Sequence, residues 1–169
     1  MIIFTKKQYL DHSNGNISTP TVPAYDVGAR DLDGSMSPIP ANKEVLIVDD
    51  DEISLCLLRR FVNMAGFHAV YCSSGKDAIE LARHANAGFC LAIIDYHMPG
   101  MDGILTYNGL RSEHPGLKAI LYTDNPDIAG LSEMCPPGLF CKKKDFDFPA
   151  LGALMKQLLW TVEPSVAFE

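Results

Sequence analysis

The stretch E-V-L-I-V-D-D-D-E, residues 44–52, places four consecutive apolar residues directly before four acidic ones. A short, fully apolar run is typical of a strand that is covered on both faces of a parallel sheet. The four acids at positions 49–52 repel one another, and no basic residue follows before Arg59. Such a concentration of negative charge at the end of a buried strand indicates that this strand end has a function.

The chain from Lys43 to residue 160 alternates apolar runs with helical patterns. Candidate strands cover residues 45–48, 67–72, 90–95, 117–123 and 138–142, and candidate helices cover residues 52–65, 75–82, 103–113, 126–135 and 147–160. Five strands and five helices in alternation predict an α/β fold, a doubly wound, five-stranded parallel sheet with helices on both faces. In such sheets ligands bind beyond the carboxyl ends of the strands, where residues 49–52 lie.

Composition divides the chain into three parts. Residues 11–42 are rich in Asn, Ser, Thr, Asp, Gly and Pro without a hydrophobic period, so we expect residues 1–42 to form a flexible leader. The leader is either inert or a docking segment that orders on a partner. We expect one domain over residues 43–162 and a C-terminal tail over residues 163–169. Because no DNA-binding, cyclase or hydrolase segment is recognisable after residue 160, we expect this domain to stand alone.

The overall composition argues against several classes of protein. A net charge of -7 disfavours broad nucleic-acid binding, which needs a basic face. No apolar run reaches the roughly 18 residues that span a bilayer, and the N-terminus lacks the order of a secretory signal. We therefore expect a cytoplasmic protein without membrane insertion or direct nucleic-acid binding. The five cysteines have no metal-ligand spacing and predict buried free thiols.

Three predicted strands end in polar side chains. The first ends at residues 49–51, the third at Asp95 and the fourth at Thr123. A parallel sheet brings these ends together, and several carboxylates at one edge repel one another unless a cation is bound. Oxygen ligands without convergent Cys or His suit Mg²⁺, which often completes its shell with phosphate oxygens. The residues therefore predict a divalent-metal phosphate site, with a solvated acidic rim as the alternative.

The stretch around Asp95, L-A-I-I-D-Y-H-M-P-G-M-D-G (residues 91–103), is more specific. Together with V-L-I-V-D-D-D, Thr123 and a lysine within residues 142–144, it resembles the receiver domain of bacterial two-component response regulators. The resemblance covers roughly residues 43–160, which is the whole regular part of the chain. It implies a flavodoxin-like sheet, in agreement with the fold predicted from the alternation of strands and helices.

The resemblance implies a role for each residue of the site. Asp95 would be the carboxylate that takes a phosphoryl group from the histidine of a sensor histidine kinase or a histidine phosphotransfer protein, which forms an acyl phosphate. Asp50 would bind Mg²⁺ directly and Asp49 through water. Asp95 and the backbone carbonyl of His97 would complete the protein ligands. Thr123 would be the switch hydroxyl that moves to bond a phosphoryl oxygen.

The resemblance also implies one lysine at the end of the fifth strand, which pairs with the acceptor carboxylate and later with the phosphate. An early strand end favours Lys142, and the K-D-F-D string that follows favours Lys143. The register of the apolar residues further on favours Lys144. We choose Lys143 and expect the other two lysines to be solvated.

The sequence departs from the family pattern after Thr123. Asp124 stands where family members typically carry a small residue, and Pro136-Pro137 oppose a regular fourth helix. These departures leave open an alternative, a pseudo-receiver that binds partners without control by phosphate. We expect a phosphorelay receiver that signals through contacts with an unknown downstream protein, and not a turnover enzyme for a small substrate.

Overall fold

The computed structural model describes residues 43–85 and 88–160. The predicted leader over residues 1–42 and the predicted tail over residues 163–169 lie outside this part of the chain. The strands are Glu44–Val48 (β1), His68–Cys72 (β2), Leu91–Ile94 (β3), Ala119–Thr123 (β4) and Leu139–Lys143 (β5). The helices are Glu52–Met64 (α1), Gly75–His84 (α2), Gly103–Glu113 (α3), Ile128–Met134 (α4) and Phe148–Trp160 (α5). Every predicted element is present, and each boundary lies within two residues of its predicted position.

The five strands form one parallel sheet in the order β2-β1-β3-β4-β5, which confirms the predicted doubly wound fold. From β1 the chain first moves to one side of the sheet, to β2, and then returns to the other side at β3. The strand order therefore reverses between β1 and β3, and sheets of this type bind ligands beyond the carboxyl ends of the strands at such a point. The strand β4 lies next to β3, so the polar ends of β1, β3 and β4 share one edge of the sheet.

Hydrophobic clusters cover both faces of the sheet. Val45 and Ile47 of β1 pack in a cluster with residues of α1 and α5. Their neighbours Leu46 and Val48 point to the opposite face and pack in a cluster with residues of α2 and α3. This burial on both sides explains why β1 is continuously apolar instead of alternating. None of the helices that the structure describes is long and apolar enough to cross a membrane.

The helix α1 buries a different face from the one that its largest apolar side chains suggest. Ile53 and Met64 belong to the helical spacing that predicts α1, yet their side chains are 71 % and 73 % exposed. The buried residues of α1 are Ser54, Leu55, Leu58 and Val62. Two apolar stripes therefore run along this helix, and the sheet covers the stripe that contains Leu55, Leu58 and Val62.

Gly103 begins α3 directly beneath the acidic edge of the sheet. A Cβ atom at this position would overlap the backbone oxygen of Asp95 and the side chain of Leu121. The backbone oxygen of Asp95 cannot easily move aside. We therefore expect Gly103→Ala to lower the free energy of unfolding by about 1–3 kcal/mol, measured by urea unfolding.

Gly152→Ala in α5 is the matched control for this substitution. The nearest atom to a Cβ at Gly152 belongs to Phe61 and would lie at an ordinary 3.5 Å. Because alanine has a higher helix propensity than glycine, we expect this variant to raise the free energy of unfolding by up to about 1 kcal/mol. Equal losses in the two variants would contradict the tight contact at Gly103.

Candidate functional site

Three carboxylates meet at the carboxyl edge of the sheet. Asp49 and Asp50 directly follow β1, and Asp95 directly follows β3. Val48 and Ile94 are partners in the register of these two strands, so Asp49 and Asp95 leave them at the same level. Each of the three acids offers an oxygen, and these oxygens lie within 4.8 Å of one another. Asp49 and Asp95 are buried, whereas Asp50 is exposed to solvent.

Lys144 places its ammonium group between the two buried carboxylates. Its Nζ lies 2.7 Å from Oδ2 of Asp49 and 3.3 Å from Oδ1 of Asp95. The backbone N–H of Lys144 donates to the carbonyl of Thr123 at 2.7 Å, so the chain stays bound to β4 for one residue beyond the end of β5. This backbone bond directs the Lys144 side chain over the acidic edge.

The structure corrects the choice of Lys143 as the lysine of the site. Lys143 is the last residue of β5, pairs with Thr123 in the sheet and is exposed. The predicted strand ended one residue too early, at Lys142, and the K-D-F-D string that favoured Lys143 does not locate the end of the strand. The Nζ of Lys142 pairs with Asp145 at 3.0 Å instead. Asp49, Asp95 and Lys144 are each the first residue after their strand.

Burial opposes ionisation of the two inner acids. Desolvation raises the pKa of Asp49 above its ordinary value, and the hydrogen bond from Lys144 offsets only part of this rise. Desolvation also raises the pKa of Asp95; the charge of Lys144 lowers it, and the charges of Asp49 and Asp50 raise it further. Burial alone would lower the pKa of Lys144, but the hydrogen bond and charge of Asp49, together with Asp95, raise it. One cation therefore faces three acids, and negative charge remains in excess.

The donor set fits a hard divalent cation. The cluster of Asp49, Asp50 and Asp95 offers only carboxylate oxygens, and exposed Asp50 opens it to solvent. Mg²⁺ typically takes one or two carboxylates and keeps several waters, which suits a cluster that is partly open. The imidazole of His97, the fourth predicted ligand residue, is exposed and lies 3.6 Å from the carboxylate of Asp124. A metal role for His97 therefore concerns its backbone carbonyl.

The four acids at positions 49–52 have two different roles. Two belong to the candidate site, and two lie at the start of α1. The side chain of Asp51 caps α1, accepting hydrogen bonds from the backbone N–H of Ser54 at 2.8 Å and from its hydroxyl at 2.7 Å. These bonds lower the pKa of Asp51. Glu52 lies in the first turn, where the helix dipole favours negative charge. Asp49 and Asp50 remain for the site.

Thr123 is fully buried at the end of β4, on the same edge as the acids. Its hydroxyl oxygen accepts the backbone N–H of Asn125 at 3.1 Å, which ties the hydroxyl to the loop before α4. The neighbouring Asp124 is exposed. A change at this hydroxyl would therefore reach the β4–α4 loop directly.

The contribution of Tyr122 was not predicted from the sequence. This buried residue accepts the backbone N–H of Phe146 on its hydroxyl at 2.8 Å, and the two rings pack edge to face with centroids 6.1 Å apart. Phe146 has a φ of 54°, in the left-handed region that residues with side chains seldom adopt. Tyr122 thus holds the turn that immediately follows Lys144. A tyrosine directly before the polar end of a buried strand was the available signal.

The family model described as response regulator receiver domain matches residues 45–141, more than half of the chain. Among curated proteins, the two-component response regulator ARR2 of Arabidopsis thaliana is 36% identical over 92 residues, which are 53% of this chain and 14% of that protein. The transcriptional regulatory protein ZraR of Escherichia coli K12 is 28% identical over 119 residues, covering 70% of this chain and 26% of that protein. The chain thus spans only a small part of these relatives.

Solved structures share the fold. The response regulator TrrA from Thermotoga maritima, in complex with Mg²⁺ and BeF, has a TM-score of 0.59 and 27% identity over 69% of this chain and 99% of that chain. The chemotaxis protein CheY4 of Vibrio cholerae has a TM-score of 0.61 over 70% of this chain and 100% of that chain. Its identity is 22%, so this second likeness concerns the fold alone.

Proposed function

Because the chain belongs to the response regulator receiver domain family, we propose that it accepts a phosphoryl group on Asp95 during two-component phosphorelay signalling. One observation carries this proposal. A buried carboxylate, Asp95, lies at the carboxyl edge of the sheet within 3.3 Å of the Lys144 ammonium and beside two further acids. A carboxylate that has a cation at one oxygen and two further acids nearby, one of them exposed, is suited to bind phosphate together with a metal ion.

Asp95 is the nucleophile in this proposal. One carboxylate oxygen forms a bond to phosphorus while the bond between phosphorus and the donor's histidine nitrogen breaks. The electron pair of that bond goes to the imidazole nitrogen, which takes up a proton. Lys144 maintains the negative charge on Asp95 before transfer and donates to a phosphoryl oxygen afterwards. The buried hydroxyl of Thr123 donates to another phosphoryl oxygen.

Asp50 is proposed as the direct ligand of Mg²⁺. Both oxygens of Asp49 are already engaged, since Oδ1 accepts the backbone N–H of Asp51 at 3.0 Å and Oδ2 lies 2.7 Å from Lys144. Asp49 is therefore better placed to act through water, while Asp95 and the carbonyl of His97 supply the remaining protein ligands. Mg²⁺, when bound, supplies positive charge next to the transferring phosphoryl oxygens.

The proposed partners follow from this chemistry. A sensor histidine kinase or a histidine phosphotransfer protein supplies the phosphoryl group. The phosphorylated Asp95 adds about two negative charges at neutral pH, and the response of the loops after β3 and β4 changes the contacts with a downstream protein. In this proposal the chain is a self-phosphorylating switch and not a turnover enzyme for a small substrate.

Incubation of the full chain with a small acyl phosphate tests the proposed function. We expect intact-mass analysis to show one added phosphoryl group when Mg²⁺ is present and none when a chelator removes it. Hydroxylamine should remove the group because it cleaves acyl phosphates. A folded chain that takes up no phosphoryl group with Mg²⁺ present would favour the pseudo-receiver instead.

We expect Asp50→Ala to reduce Mg²⁺ affinity by at least about tenfold, because the variant removes the carboxylate proposed to bind directly. Isothermal titration of the full chain measures this affinity. Asp124→Ala removes an exposed acid outside the described carboxylate cluster and is the matched control. Similar losses in both variants would mean that general negative charge, and not Asp50, binds the ion.

A further inference from the structure

Cys135 and Cys141 bring two thiols into contact outside the described cluster of acids. Their sulfur atoms lie 3.2 Å apart, although the residues are six positions apart in the chain. Cys135 caps the C-terminal end of α4, and Cys141 lies within β5. Both thiols are free and half-buried, so a small reagent can reach them.

A rigid turn holds the two cysteines in this position. The N–H of Leu139 donates to the carbonyl of Pro136 at 3.1 Å. Pro137 and Gly138 occupy the two central positions, and Gly138 has a φ of 91°. This is the pattern of a type II turn, in which proline pre-sets the first central residue and glycine permits the second. Arg111 also donates to the carbonyl of Pro137 at 3.0 Å.

The same turn is anchored to the core of the domain. The hydroxyl of Tyr107 lies 3.0 Å from the carbonyl of Leu117 and 3.1 Å from that of Pro137. The carbonyl of Gly138 accepts the N–H of Ala119 at 2.8 Å. Little conformational freedom remains to be lost when the two sulfur atoms join, and such pre-organisation raises the effective concentration of one thiol at the other.

We propose that Cys135 and Cys141 form a reversible intramolecular disulfide by exchange with a small-molecule disulfide. A disulfide bond is about 2.04 Å long, so the sulfur atoms must approach by about 1.2 Å from their present 3.2 Å. This site is independent of the proposed phosphoryl acceptance at Asp95.

The exchange proceeds in two balanced steps. One cysteine loses its proton to solvent, and its sulfur attacks the small disulfide, which releases one small thiolate and leaves a mixed disulfide. The second cysteine then loses its proton and attacks the protein sulfur of that mixed disulfide, which releases the second small thiolate. The released thiolates take up the two protons. In total, two cysteine thiols are oxidised and one small disulfide is reduced.

The disulfide would restrain α4, a short helix with little buried surface. The helix α4 has seven residues, and its buried residue is Leu131. A link from Cys135 to Cys141 ties the end of α4 to the strand that leads into Lys144. Burial and the neighbouring thiol of Cys141 raise the pKa of Cys135 to about 12, so thiolate is scarce at neutral pH and the exchange is best measured above pH 8.

The test places the full chain in buffers of oxidised and reduced glutathione, both in its native state and in guanidinium chloride. Tryptic peptide 119–142 contains Cys135 and Cys141 and none of the other cysteines, so alkylation and mass analysis report this pair alone. We expect the equilibrium constant for bridging to be at least about tenfold higher in the folded chain than in the denatured chain. A smaller ratio would overturn the proposal, because the fold would then not favour the bond.

Two substitutions identify the pair. Cys135→Ser should leave Cys141 as a thiol or a glutathione adduct and abolish the bridged peptide. Cys72→Ser should leave the bridged fraction of peptide 119–142 unchanged within about twofold. A bridged fraction that falls as far in Cys72→Ser as in Cys135→Ser would show that bridging depends on Cys72 and would overturn the assignment to an independent pair.

Discussion

Asp95→Asn is expected to abolish phosphoryl uptake from a small acyl phosphate in the presence of Mg²⁺. An amide has nearly the same shape as the carboxylate but is not a nucleophile toward phosphorus, so the acyl phosphate cannot form. Intact-mass analysis of the full chain should show no added phosphoryl group under conditions that label the unmodified chain.

Asp51→Asn is the matched control for this variant. Asp51 lies in the same acidic run, but its side chain caps α1 by accepting hydrogen bonds from Ser54. Because asparagine is an equally good N-cap residue, we expect α1 to keep its start and labelling to stay near the level of the unmodified chain. Labelling that survives in Asp95→Asn would place the acceptor elsewhere.

The loss of labelling in Asp95→Asn should not come from unfolding. Burial and the nearby acids raise the pKa of Asp95 from its ordinary value of 3.8, so the folded chain disfavours the charged form. The stability that protonated Asp95 contributes is therefore lost as pH rises from 3.8 through the raised folded pKa. At pH 7 the neutral amide relieves repulsion from Asp49 and Asp50, and we expect a gain of about 1 kcal/mol in urea unfolding.

Lys144→Ala is expected to have the second large effect. Removal of its ammonium leaves the buried carboxylates of Asp49 and Asp95 without the cation that lies within 3.3 Å of both. Breaking a buried ion pair in this way destabilises a protein by about 3 kcal/mol at neutral pH. Loss of a donor to the phosphoryl group should also slow labelling by about 100-fold. Urea unfolding and timed mass analysis measure the two effects.

Two results would show that these effects are specific to Lys144. Lys143→Ala removes an exposed lysine and should change stability by less than about 0.5 kcal/mol. Mg²⁺ should recover part of the stability lost in Lys144→Ala, because a bound cation offsets the same carboxylates. If Lys143→Ala slowed labelling more than Lys144→Ala, Lys143 would instead be the lysine that donates to the phosphoryl group.

The sequence alone determined the architecture and the acidic half of the candidate site. Apolar runs such as residues 45–48, interrupted by helical patterns, predict a parallel sheet because both faces of such strands must be covered. Asp49, Asp50 and Asp95 were identified because the end of each apolar run coincides with a charged residue, and parallel strands bring their ends to one edge. These features are local patterns, and local patterns are visible in a sequence.

Only the tertiary structure showed that Lys144, and not Lys143, contacts Asp49 and Asp95, and which of the two apolar stripes of α1 is buried. Hydrophobic patterning locates a strand end to within about two residues, whereas a shift of one residue changes which lysine turns over the edge. The contact of Cys135 with Cys141 and the bond from Phe146 to Tyr122 likewise depend on how a turn packs against a strand. Such contacts arise from the packing of the whole domain, because no local pattern of residues specifies the distance between their atoms.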